Sequence, residues 1–98
     1  MSGDPVKVAS KIYHTVFEND RIRLLEANLR KGQKAEMHHH PRHLVYVLES
    51  GHERFSYPDG KSEEAWMKAG DAVWVEDQWH ASENIGKTKV RALIIELK

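Results

Sequence analysis

The chain has 98 residues, 40% hydrophobic and 31% charged, with fifteen Lys and Arg against fifteen Asp and Glu. That length allows a single domain with a modest core, so a metal or a partner subunit would add welcome stability. The even charge balance leaves no basic footprint for nucleic acid, and no apolar stretch is long enough for a transmembrane helix. Cysteine is absent, which excludes disulfides, thiolate metal sites and cysteine nucleophiles.

The first ten residues read as a loose arm without the apolar segment of a signal peptide, so a cytoplasmic protein is expected. Short runs with period-2 alternation follow, broken by turn residues. Ile12 to Phe17 and Ile22 to Arg30 read as strands, ended by Glu18-Asn19-Asp20 and by Lys31-Gly32. His43 to Glu49 is the strongest strand, rich in β-branched and aromatic residues, and His52 to Tyr57 follows it. Pro58-Asp59-Gly60 is a turn in which Pro presets φ and Gly admits a positive φ. Glu63 to Lys68, Ala72 to Glu76, Trp79 to Ile85 and Thr88 to Leu97 complete an all-β chain with little or no helix. Such regular spacing argues for a sandwich or a barrel.

In His43 to Glu49 both faces are apolar. His43, Val45 and Val47 share one, and Leu44, Tyr46 and Leu48 the other. A half-solvated sheet would alternate apolar with polar, so one face lines the interior and the other meets a second sheet or another subunit. A homodimer is therefore expected.

Seven histidines stand beside only two phenylalanines, and imidazole is the commonest metal-ligating side chain. His38 and His40 are two apart and share a face on an extended segment; His43 opens the next strand and His80 lies on a distant one. Together they form a plausible mononuclear site for one divalent transition metal: manganese, iron, nickel, copper or zinc. His14 and His52 read as ordinary strand residues, and His39 points away from His38 and His40. Trp66, Trp74 and Trp79, with Phe55 and Tyr57, would line a substrate pocket or else belong to core or interface. Glu26, Glu53 and Glu76 are candidate acids or bases whose simpler reading is a solvated carboxylate. Asn84 is a candidate to orient a ligand.

These residues resemble the two motifs of the small single-domain cupins. The first, G-x5-H-x-H-x3,4-E-x6-G, compares with Gly32 to Gly51 through His38, His40 and His43; the second, G-x5-P-x-G-x2-H-x3-N, compares with Gly70 to Asn84 through His80. The resemblance implies a double-stranded β-helix barrel, related to the jelly roll, with a metal in its mouth. It sets His38, His40 and His80 on the family's histidine ligands and His43 at or beside its glutamate. Four neutral imidazoles would leave two net positive charges on a divalent metal, where three and a carboxylate leave one. Such a site holds anions more firmly and makes high-valent iron harder to reach. Two function classes follow. One is a metal-dependent enzyme of oxygenase or isomerase type acting on a small oxygen-rich or anionic molecule; the other is a module that binds a small ligand or metal without turnover. Histidine ligation further predicts metal loss as pH falls through about 6.

Overall fold

The computed structural model describes residues 3–98. One short helix, α1 (Pro5–Val8), precedes nine strands: β1 (Tyr13–Glu18), β2 (Ile22–Leu29), β3 (Lys34–His40), β4 (His43–Glu49), β5 (Gly51–Ser56), β6 (Ser62–Met67), β7 (Ala72–Val75), β8 (Gln78–Asn84) and β9 (Val90–Leu97). Eight follow the expected runs to within two residues at either end. The ninth, β3, is the extended segment that carries His38 and His40.

The N-terminal stretch departs from the expected loose arm. Asp4 caps α1 by accepting the Val6 amide at 3.1 Å, and Pro5 supplies a first-turn residue whose missing N–H costs nothing there. Pro5 and Ala9 are buried, so packing holds in place a turn too short to persist alone.

Two antiparallel sheets face each other. One has five strands in the order β1-β2-β9-β4-β7, the other four in the order β3-β8-β5-β6. Alternation sends Leu25, Leu29, Val47, Val90, Ala92 and Ile94 into the interior, where Leu25, Leu29 and Ile94 form an apolar cluster with Ile12, Tyr13, Ala35 and Ala9. Four histidines and two glutamates share that interior, all less than 9% exposed.

The site depends on a break in the period. In β3, Ala35 pairs with Ser82 and His38 with His80, so three residues on β3 match two on β8. This bulge at Glu36-Met37 resets the alternation, and Ala35, His38 and His40 all point inward.

Candidate metal centre

β3, β4 and β8 deliver His38, His40, His43 and His80 to one end of the interior. His38 stands opposite His80 across the ladder, with ring centroids 4.7 Å apart and nearly perpendicular. His40 lies 4.8 Å from His38, 5.2 Å from His80 and 4.8 Å from His43. Ring nitrogens of His38, His40 and His80 all fall within 4.8 Å of one another. His43 borders that group and is not part of it.

Hydrogen bonds fix the tautomer of every ring. His38 Nδ1 lies 2.6 Å from the Glu36 carbonyl oxygen and His43 Nδ1 2.7 Å from that of Pro41. His80 Nδ1 meets Gln78 Oε1 at 2.7 Å, and His40 Nδ1 meets Glu96 Oε2 at 2.8 Å. Carbonyl and carboxylate oxygens only accept, so each Nδ1 carries the proton and each Nε2 is left with its lone pair. Such orientation by an outer oxygen is what metal-binding histidines require. The His80 Nε2 is buried without a hydrogen-bond partner, a costly arrangement unless a cation fills it.

The donors also fit a metal in charge. Burial pushes the pKa of all four imidazoles down, and for His40 and His80, with neighbouring imidazoles adding to it, to about 2. All four are thus neutral near pH 7, the form that binds metal. A nitrogen ligand set without thiolate suits zinc, copper, iron or nickel. Bonds of about 2.1 Å place neighbouring nitrogens about 3.4 Å apart, so small ring movements would close the group.

Three further residues complete the surroundings. Tyr13 donates its hydroxyl to His38 Nε2 at 3.2 Å, and burial pushes its pKa upward. Glu96 is 2% exposed; besides His40 it holds Arg23, whose Nε lies 2.9 Å from Oε1, and Arg23 in turn pairs with Asp4 at 3.0 Å. Glu53 is 7% exposed and lines a cavity of about 60 Å³ together with Tyr13, His40, His43 and His80. Burial raises its pKa to about 7.

Glu53 therefore corrects the reading of a solvated carboxylate, because inward alternation on β5 takes it past the surface. Glu26 and Glu76 do lie toward the surface, Glu26 held by Arg91 at 2.8 Å and Glu76 by the Trp74 indole. Of the aromatic candidates Phe55 lines the cavity, its ring 5.2 Å from His80. Trp66 and Trp74 are 79% and 49% exposed, and Trp79 packs against His39. Asn84 binds the Leu29 and Thr88 carbonyls and the Gly86 amide, so it ties loops together and orients no histidine. His14 pairs with Glu26, and His52 stacks on Trp66 at 3.8 Å.

Sequence reasoning missed Tyr13, Glu96 and Gln78. For Glu96 a signal was present: it continues the inward row Val90, Ala92, Ile94 at period two, which marks an interior carboxylate.

Comparison with known proteins agrees with this architecture. The model of the cupin domain matches residues 25–96. No curated protein matches the sequence. A cupin domain from Bordetella pertussis Tohama I superposes with a TM-score of 0.81 at 22% identity, over 89% of this chain and 92% of that one. A double-stranded β-helix protein from Klebsiella pneumoniae gives 0.70 at 21% identity over 99% and 79%. The polyketide cyclase RemF from Streptomyces resistomycificus gives 0.63 at 23% identity over 87% and 63%.

Proposed function

Since the chain belongs to the cupin family, its cupin domain spanning residues 25–96, we propose that it binds one divalent transition metal through Nε2 of His38, His40, His43 and His80 and catalyses proton transfer on a small oxygen-rich anion. The observation that carries this reading is the set of four Nδ1–H groups, each committed to an oxygen so that each Nε2 is free to ligate. Bound there, the metal would supply Lewis acidity, stabilising negative charge on a substrate oxygen.

This chain's own residues supply the rest. Glu53, buried in the same cavity, can exist as carboxylate or acid near pH 7, the property of a group that takes a proton and returns it. Tyr13 remains a neutral donor; when the His38 lone pair is engaged elsewhere, its hydroxyl must turn to another acceptor, and a substrate oxygen answers that need. Apolar walls from Leu29, Val45, Val90 and Ile94 exclude water and strengthen both interactions. Isomerase-type chemistry is preferred to oxygenase chemistry because an all-imidazole set makes a good Lewis acid and a poor partner for high oxidation states.

A second reading, binding without turnover, is favoured by the cavity itself. At about 60 Å³ it holds only a very small ligand, well below the 300–1,000 Å³ common for small-molecule pockets.

Metal analysis of untagged protein tests the reading. About one equivalent of metal is expected in the wild type, with marked loss in His80→Ala and His43→Ala. Glu53→Gln should keep its metal and lose turnover of small hydroxy- or keto-acids. A wild type that takes up no metal after reconstitution would overturn it, and full turnover in Glu53→Gln would leave only the binding module.

A further inference from the structure

Among the described residues, two buried side-chain atoms have no hydrogen-bond partner, His80 Nε2 and Ser82 Oγ. A metal accounts for the first. The second needs its own explanation, because an unpaired buried hydroxyl carries a desolvation cost that nothing offsets. Ser82 stands between His80 and Asn84 on the inward row of β8 and is 3% exposed. Its neighbours across the ladders are Ala35 on β3 and Phe55 on β5, neither of which offers a polar side chain. Asn84 is engaged with loop backbone, so the row itself holds no partner. The polar group that reaches Ser82 is the Tyr13 hydroxyl. Burial raises the Tyr13 pKa and the charge of Glu53 adds to the rise, while contact with the Ser82 hydroxyl lowers it. Glu53 thus acts on Tyr13 through charge, and Ser82 at hydrogen-bonding range.

Tyr13 is meanwhile committed elsewhere. Its hydroxyl donates to His38 Nε2 at 3.2 Å, since His38 Nδ1 already gives its proton to the Glu36 carbonyl. That Nε2 has one lone pair, in the plane of the ring. A hydroxyl proton and a metal cannot share it, so Tyr13 must give way wherever His38 ligates. Tyr13 is 5% exposed, and its hydroxyl then needs another acceptor inside the barrel. Ser82 Oγ has two lone pairs and no other group using them.

We propose, on the basis of the ligand set given above, that the Tyr13 hydroxyl moves between two partners, His38 Nε2 and Ser82 Oγ, and that Ser82 thereby offsets the cost of freeing His38 for a metal. Ser82 is a positioning residue. It ligates nothing, but it holds the Tyr13 hydroxyl clear of the ligand set until a substrate oxygen takes it.

Zinc affinity across four proteins, read by competition with a chromophoric chelator, is the test. Ser82→Ala should bind zinc about 10-fold more weakly than the wild type, since the displaced Tyr13 hydroxyl is left buried and unpaired. Stripped of metal, the same variant should unfold in urea no earlier than the wild type, because it has lost only an unpaired hydroxyl. A serine with a merely structural role would weaken both states. In Tyr13→Phe there is no hydroxyl to rehouse, so adding Ser82→Ala should leave zinc affinity unchanged. Should a variant fail to fold, NMR of the wild type labelled at tyrosine Cζ answers the same question. On addition of zinc, the Tyr13 hydroxyl proton should exchange its contact with His38 Hε1 for one with Ser82 Hβ. Equal zinc affinity in wild type and Ser82→Ala would overturn the inference alone and assign the hydroxyl to Glu53 or to cavity water. An equal loss with and without the Tyr13 hydroxyl would overturn it too. A wild type that binds no divalent metal would overturn the ligand set itself, and this inference with it.

Discussion

Each site histidine gives its Nδ1–H to an oxygen, but the four oxygens are not equivalent. Two are backbone carbonyls and one an amide; only Glu96 brings charge to its ring, His40. Glu96→Gln should keep an acceptor for His40 while removing that charge and leaving Arg23 short of a partner. Metal affinity, read by competition with a chromophoric chelator, should fall by about 10–100-fold. An unchanged affinity would mean that Glu96 serves Arg23 alone. Glu53 poses the opposite problem, a carboxyl that burial keeps protonated up to about pH 7. Its folded pKa is raised above the ordinary 4.5, so the folded state holds the proton more tightly, and stability is lost as pH rises between these values. A rise from 4.5 to about 7 corresponds to about 3 kcal/mol. Glu53→Gln should therefore be more stable than the wild type by about that amount at pH 8 and nearly equal to it at pH 4, as measured by urea unfolding. An equal difference at both pH values would assign the effect to packing.

At the scale of elements, bulges and tight approaches do what smooth strands cannot. The β3 bulge allows three residues to separate Ala35 from His38 while both face inward, and it turns the Glu36 carbonyl onto the His38 ring. β5 begins where β9 crosses closely: a Cβ on Gly51 would lie 2.3 Å from Val90 Cγ2. Gly51→Ala must push Val90, itself buried, and should cost about 1–3 kcal/mol in denaturant unfolding. A neutral substitution would show that the start of β5 can yield. Eight of the nine strands were legible from alternation and turn residues, because those signals are local. The third strand and the helix were not. A bulge breaks the very period by which strands are read, and one helical turn owes its existence to the cap of Asp4 and the burial of Pro5.

For the whole molecule, the interior exchanges apolar volume for polar function, with four imidazoles and two carboxyls inside a barrel of fewer than a hundred residues. Metal should then be a major stabiliser. At a concentration about 100-fold above Kd it should add about 2.7 kcal/mol, raising Tm by about 10 °C or more, and a chelator should reverse the gain. A Tm indifferent to every divalent metal would oppose the site. Without metal, stability should fall steadily as pH drops below about 6.5. The unfolded chain there binds protons that four buried histidines, their pKa lowered, refuse; Glu53 works in the opposite direction between 4.5 and about 7 but is one group against four. A melting profile flat across that range would mean that water reaches these groups. The same lowered pKa values displace the expected acid release of metal from about pH 6 to lower pH.

The sequence by itself determined the all-β class, the shared face of His38 and His40 and the family motifs, since period two and ligand spacing are written in neighbouring residues. It also exposed the double apolar faces of β4, and with them the expectation of a partner. Only the tertiary structure decided which oxygen holds each imidazole, that Glu53 and Glu96 turn inward, and which outer face is apolar from edge to edge. Those facts depend on register between strands distant in sequence, as when Leu24, Ile95 and Leu44 fall into one row. Register is set by the packing of a whole barrel, and no local run of residues contains it.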